Sequence, residues 1–166
     1  MKLQLLSNPT TNYKANKNIK LKVHTYFLSL AHSDISGYNV CPLANKFTEN
    51  ENNSKKSNCS FSCVGYNGNA QIFPNVMKAR IRKTQLFYED RKTFFAQLEK
   101  DMIKGINYSK KQGFKPTFRL NAYSDIKFEN IIVRDGKNIF ELFPNIEFYD
   151  YTKLTNRTTP KNYHLT

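Results

Sequence analysis

The stretch "IKLKVHTYFLSLA" alternates apolar and polar residues, with Ile19, Leu21, Val23 and Thr25 on one face, and turns continuously apolar from Phe27 to Ala31. A period of two predicts a strand that runs into the core. "SDISGYN" supplies a turn around Gly37. Pro74-Asn75 opens a helix from Val76 to about Tyr88 with Asn75 as its cap. Asp90 caps a second helix that runs to about Lys111 and stops at Gly113. Along that second helix Phe94, Phe95, Leu98, Met102, Ile103 and Ile106 form a core-facing stripe, opposite Lys92, Glu99, Lys100, Lys104 and Lys111.

Short strands follow at Pro116–Asn121, within "NIEFYDYTK" and in "NYHLT", with a short helix at Asn138–Pro144. The order strand, loop, helix, helix, strand, helix, strand, strand predicts a single-domain α/β fold. Its sheet is expected to be small, largely parallel or mixed and flanked by helices, with part of a barrel-like fold as the alternative. Residues 1–18, polar and rich in Asn and Lys, read as a flexible basic arm ahead of a domain over 19–166. "TENENNSKKSN" has no periodicity and reads as an exposed polar loop at about 46–58.

A chain of 166 residues with 39% hydrophobic and 14% aromatic residues is long and apolar enough to bury one core, which excludes a disordered tail. No run of about 18 apolar residues predicts a spanning helix, and the apolar patch in "MKLQLLSNPTTNYK" is too short for a signal peptide. The expectation is a protein of a reducing cytoplasm with no membrane partner.

Charge changes the picture most. The chain carries 26 Lys+Arg against 13 Asp+Glu, a net +13. Such a field attracts nucleic acid, nucleoprotein or acidic protein surfaces. Against this stands codon bias, because 20 Lys to 6 Arg and 20 Asn is the usage an AT-rich genome imposes without selection for binding. The distribution argues partly the other way: nothing acidic precedes Asp34, and Lys153, Arg157 and Lys161 follow Asp150 with no acid among them. For a phosphate-binding surface the candidates are Arg80, Arg82 and Lys83 on the first helix, Lys110, Lys111 and Lys115 around Gly113, and Arg119. Arg80 and Lys83, three apart, share a helix face.

Two clusters carry candidate chemistry. In parallel α/β sheets ligands gather at the carboxyl ends of strands. "RLNAYSDI" there delivers Asn121, Ser124 and Asp125, the next strand ends in Asp150, Tyr151 and Lys153, and the last carries His164. Asn121, Asp125, Asp150, Lys153 and His164 are therefore the candidate catalytic set if the strands are neighbours, since carboxylate, amine and imidazole suit acid–base work. The structural alternative is that Asp125 caps a turn or pairs with Arg119, that Asp150 and Lys153 form a local ion pair, and that His164 is idle.

The second cluster is Cys41, Cys59 and Cys63. Cys59-x3-Cys63 spaces two thiols about one helical turn apart. With Cys41 and a fourth ligand such as His24 or His32 they suit zinc, or without one an iron–sulfur cluster with an open iron. Buried small hydrophobes or a disulfide are the alternatives.

"SDISGYNVCP", the Cys59-x3-Cys63 pair, "ARIRKTQLFYEDRKTFFAQLEKDM", "RLNAYSDI", "FPNIEFYDYTK" and "PKNYHLT" together resemble a family of proteins of unassigned activity encoded by phages, plasmids and related mobile elements of bacteria. The resemblance runs from about Ser33 to Thr166. It departs from the family pattern in three places. Cys41 and Cys59 are separated by the Asn/Ser/Lys insertion, Ala122-Tyr123 replaces a Gly-Thr turn, and the chain stops at Thr166 where family chains commonly continue. The resemblance implies a C-terminally shortened member working in the bacterial host cytoplasm. It implies no activity, so whether the chain is an enzyme stays open, with binding preferred. By analogy of size, charge and genomic class, an inhibitor of a host defence system, anti-CRISPR-like, is the expected role. The alternative is a metalloenzyme with an iron–sulfur or zinc centre beside the strand-end cluster, and a third possibility is a protein-binding domain whose charge is codon bias.

Overall fold

In the computed structural model, residues 3–10, 17–42 and 73–166 are described. Four strands, β1 (Val23–Phe27), β2 (Lys115–Arg119), β3 (Glu147–Asp150) and β4 (Tyr163–Leu165), form one sheet in the order β1-β2-β3-β4 with every pairing parallel. Around it lie α1 (Ser33–Ser36), α2 (Pro74–Glu89), α3 (Arg91–Lys111) and α4 (Ile139–Leu142), with a 3-10 turn at Phe128–Asn130. The expected single α/β domain is what folds. Its sheet is wholly parallel and open, with β1 and β4 at its edges, and not a closed barrel.

Strand order equal to chain order has a consequence. Right-handed crossovers between parallel neighbours then all pass on the same side of the sheet. On that side Tyr26 and Phe118 stack at 5.1 Å, Phe140 meets Phe148 edge-on at 4.8 Å, and Phe140 stacks on Tyr163 at 4.0 Å. Leu98, Met102 and Phe94 of α3 close over them, fully buried. The other face carries Thr25, Phe27, Thr117, Arg119, Glu147, Tyr149 and His164, because side chains alternate along a strand.

The caps explain where the helices start. Pro74, not Asn75, decides the start of α2, because a residue without an N–H costs nothing at the first helical position; Phe73 is the N-cap. Asp90 caps α3 as expected, its Oδ1 accepting from Thr93 N at 3.0 Å. Gly113, at φ +73, ends the segment in a left-handed turn that a side chain would strain. Asn138 and Glu141 form a reciprocal capping box on α4.

Two expectations fail for physical reasons. β1 begins at Val23, since residues 17–19 form a helical turn closed by Leu21 N to Asn18 O (3.0 Å) and Lys22 N to Ile19 O (2.9 Å). Leu21 is 74% exposed, so its place in the alternation was coincidence. In place of a loosely held arm, residues 3–8 dock: Leu5 and Leu6 are buried, both amides donate to Asp101 Oδ2 (2.6 and 3.3 Å), and Leu6 bridges antiparallel to Leu28. The loop expected at 46–58 lies outside the described residues.

Gly105 faces Tyr26 across the α3–β1 contact, where a Cβ would stand 3.0 Å from two ring atoms. Tyr26 cannot retreat easily, because its hydroxyl donates to Gly105 O at 2.9 Å and meets Ser109 Oγ at 2.9 Å. Gly105→Ala gains about 1 kcal/mol of helix propensity and loses about 1–3 kcal/mol to overpacking. The expected outcome is a net destabilisation of about 1 kcal/mol in urea unfolding; a stabilised variant would show that the ring yields.

Candidate functional site

At the carboxyl edge of the sheet, three segments converge on one guanidinium. Arg157, on the loop between β3 and β4, has a side chain 2% exposed and forks onto Glu129, Nε to Oε1 at 2.8 Å and Nη2 to Oε2 at 2.7 Å. Its Nη1 donates to Asp125 Oδ1 at 2.7 Å. Asp125 also accepts from Thr152 Oγ1 (2.8 Å) and from Lys153 N (3.0 Å). Burial works against the Arg157 charge, but Glu129 and Asp125 outweigh it and hold its pKa above the ordinary value.

Asn121 ties the next layer. Its Oδ1 accepts from Ser124 Oγ (2.8 Å) and Ile126 N (2.9 Å), and its Nδ2 donates to Ile126 O (2.9 Å) and Tyr163 Oη (3.3 Å). Tyr163 donates on to Asp150 Oδ2 at 3.3 Å. Asp150, 1% exposed, accepts from the amides of Leu120 (3.2 Å) and Asn121 (3.1 Å) and lies 3.5 Å from Arg119 Nε. Burial raises the Asp150 carboxyl to about 7, and Arg119 and the two amides offset only part of that rise.

Of the residues expected to share a cleft, Asn121, Asp125 and Asp150 do lie at one edge, but inside the protein, with the Asn121 amide bonded to Asp150 and Asp125 tied instead to Arg157, Thr152 and the Lys153 amide. Asp125 pairs with Arg157, not Arg119, and Asp150 pairs with Arg119, not Lys153. The Lys153 side chain is exposed. His164 projects from the opposite face of the sheet, exposed, with Nε2 2.6 Å from Glu147 Oε2. This arrangement braces the loops after β2 and β3 and leaves Asp125, Glu129 and Asp150 buried, with little of their surface toward solvent. Arg157, Glu129, Thr152 and Tyr163 were missed in the sequence. The available signal was the choice of arginine in a lysine-dominated chain, since a bidentate fork is the thing lysine cannot supply.

The basic candidates divide between the two ends of the sheet. At the carboxyl end, Arg80 is buried with its guanidinium 4.1 Å from the Tyr123 ring centre. Lys83 turns inward too, Nζ donating to Leu5 O at 2.7 Å, and burial pulls its pKa to about 8. Arg82 stays outside and lines an open groove with Asn75, Lys78 and Ile81. At the amino end, Lys110, Lys111 and Lys115 are exposed around Gly113, and Lys115 N donates to Lys22 O at 2.8 Å. That bond brings Lys20 and Lys22, also exposed, beside them. The aromatic column His24–Phe114 (4.1 Å) and His24–Tyr108 (5.7 Å) backs this edge, with Tyr108 partly open to solvent.

Cys59 and Cys63 lie outside the described residues. Cys41 is half-buried beyond α1, next to Val40, whose carbonyl accepts from Asp125 N at the carboxyl edge. His24 sits near the amino end of β1 with Nδ1 3.0 Å from Ser109 Oγ, a strand's length from Cys41. His32 accepts from Asp34 N through Nδ1 (3.2 Å). Among the described residues no group of three His, Cys, Asp or Glu side chains is placed to hold a metal ion. Among them, too, no helix is long and apolar enough to cross a membrane.

Removing Arg157 leaves two buried carboxylates uncompensated. Arg157→Met is expected to lose about 3–5 kcal/mol in chemical denaturation, and Arg157→Lys to recover only part, for want of the fork; a loss below about 1 kcal/mol would mean that the network does not hold the edge. Asp150 predicts a pH dependence. Its folded pKa is raised above the unfolded one, so the folded state holds the extra proton between about pH 4 and 7. Stability from this group is full below pH 4 and is lost as pH rises through 7. Unfolding curves of wild type and Asp150→Asn should differ in slope across that window and run parallel above it.

No curated protein and no solved structure matches the chain. One family model does, Gene product 88, and it spans residues 4–166. With nearly the whole chain matched, and with the ordered motifs from "SDISGYN" to "NYHLT" inside the match, the chain belongs to the Gene product 88 family, a family of phage gene products.

Proposed function

We propose that this phage accessory protein holds nucleic acid, alone or within a nucleoprotein, on the lysine edge at the amino end of its sheet. The observation that supports it is the convergence of Lys20 and Lys22 with Lys110, Lys111 and Lys115, two stretches far apart in sequence, around the Lys22–Lys115 backbone bond. Codon bias predicts many lysines; it does not predict their gathering. The carboxylates sharpen the field, because Asp125, Glu129 and Asp150 are buried against Arg157 and Arg119 and leave the outer lysines uncancelled. Contacts of this kind go to phosphate and carry little sequence information. The cellular role we attach to this binding is interference with a host defence complex built on nucleic acid, anti-CRISPR-like, supported by the phage family and the charge.

Binding to labelled oligonucleotides should weaken steeply between about 50 and 200 mM salt. Lys110→Ala/Lys111→Ala/Lys115→Ala should lower the log–log salt slope by about one for each phosphate contact removed, with unchanged thermal stability. Affinity that ignores both salt and the triple substitution would remove the electrostatic basis of this reading.

A further inference from the structure

At the far end of the same β2 face stands Arg119, whose ion pair with Asp150 leaves its donors without a hydrogen bond. Arg119 is held between three rings, its Cζ 4.9 Å from the centre of Tyr151, 5.4 Å from Tyr149 and 5.5 Å from Phe27. The side chain is only 13% exposed, so the rings fix its direction. Among the described residues no acceptor hydrogen-bonds to the guanidinium. Nε is buried and stands 3.5 Å from Asp150 Oδ1, beyond good geometry, while the terminal nitrogens reach solvent. A guanidinium carries five N–H donors in a rigid fork that matches phosphate bidentately. Partial desolvation without partners is costly unless something supplies the acceptors. Tyr151 offers the second element, a residue 61% exposed whose ring lies beside that fork.

We infer that Arg119 and Tyr151 form a nucleotide subsite for single-stranded nucleic acid, Arg119 taking a backbone phosphate and Tyr151 stacking on the adjacent base. This rests on the nucleic-acid reading above and specifies the strand state. A base inside a duplex has no free face for Tyr151, whereas bases of a single strand stack readily on aromatic side chains. Lys115, Thr117 and Arg119 alternate onto one face of β2, so the lysine edge and the subsite are about 13 Å apart, within reach of one strand a few nucleotides long. Asn18 lies over Thr25 between the two ends, its Nδ2 bonded to Thr25 Oγ1 at 2.9 Å. Glu147, the acid on this face, is engaged by His164. Asp150 opposes an incoming phosphate weakly, since burial raises its carboxyl to about 7 and it keeps part of its proton at neutral pH.

The test uses the full chain and two labelled probes of about ten nucleotides, oligothymidine and an abasic strand with the same backbone, with matched duplex as a third. Tyr151→Ala, at an exposed position, should weaken oligothymidine by about tenfold and leave the abasic strand unchanged. Arg119→Lys keeps the charge beside Asp150 and loses the fork, and should weaken both single strands by a similar factor. Wild type should prefer oligothymidine to duplex. If both variants bind oligothymidine within about twofold of wild type while the lysine-edge triple variant loses it, the subsite falls and the lysine edge stands. Wild type that binds none of the probes at low salt overturns the nucleic-acid reading and the subsite with it. A variant whose thermal midpoint drops is replaced by Tyr151→Leu, which removes the aromatic face and keeps the apolar bulk.

Discussion

Two carboxylates and one guanidinium, all nearly out of water, hold the carboxyl edge of the sheet together. β3 and β4 are parallel, yet the segment that joins them, residues 151–162, contains no helix to pack against the sheet. A crossover of that kind has no apolar face to anchor it. Arg157 substitutes for one by reaching from that segment to Asp125 and Glu129, which lie after β2. Buried ion pairs seldom add net stability over an apolar equivalent, but losing one partner is severe. Here the pair also fixes register, because Thr152 and Tyr163, on either side of Arg157, bond into the same set.

From this brace follows the division of labour between the two faces. Parallel strands in sequence order send their crossovers to one side, where the phenylalanines of α3, α4, β2 and β3 make the core. Among the described residues the opposite side carries no crossover helix and shows Arg119, Tyr149, Tyr151 and His164 instead. Carboxylates consumed inside the brace are unavailable to neutralise the outside. A chain with twice as many basic as acidic residues therefore presents its lysines with little opposition. The cluster expected at the strand ends is buried and braces the carboxyl edge, and the exposed lysines and aromatic rings lie at its margins.

Much of the fold was legible in the residues because local physics decided it. The apolar stripe of α3, the Asp90 cap and the left-handed Gly113 are each set within a few positions and appear where the pattern puts them, except Ile103, which was expected in the stripe but lies at its margin, 48% exposed. The capping box at Asn138 and Glu141 is equally local. Ile19 and Leu21 misled because two well-spaced apolar residues cannot distinguish a strand from a helical turn. Asn75 misled because a good capping residue competes with a proline, and the proline wins at the first helical position.

The sequence by itself determined a single α/β domain with a largely parallel or mixed sheet, the approximate extent of its two main helices and a strong positive charge. Tertiary structure alone decided the pairings. Asp125 was within reach of Arg119 along the chain, but it found Arg157, 32 residues away, because β4 returns beside β3 and carries the preceding loop over the edge of β2. Lys22 and Lys115 met for the same kind of reason, because Lys115 is in register with Val23 across a parallel pair and its amide bonds the Lys22 carbonyl. Local propensity reaches a few residues. Charge pairing and surface assembly depend on which distant strands lie side by side, and that is settled only when the core excludes water.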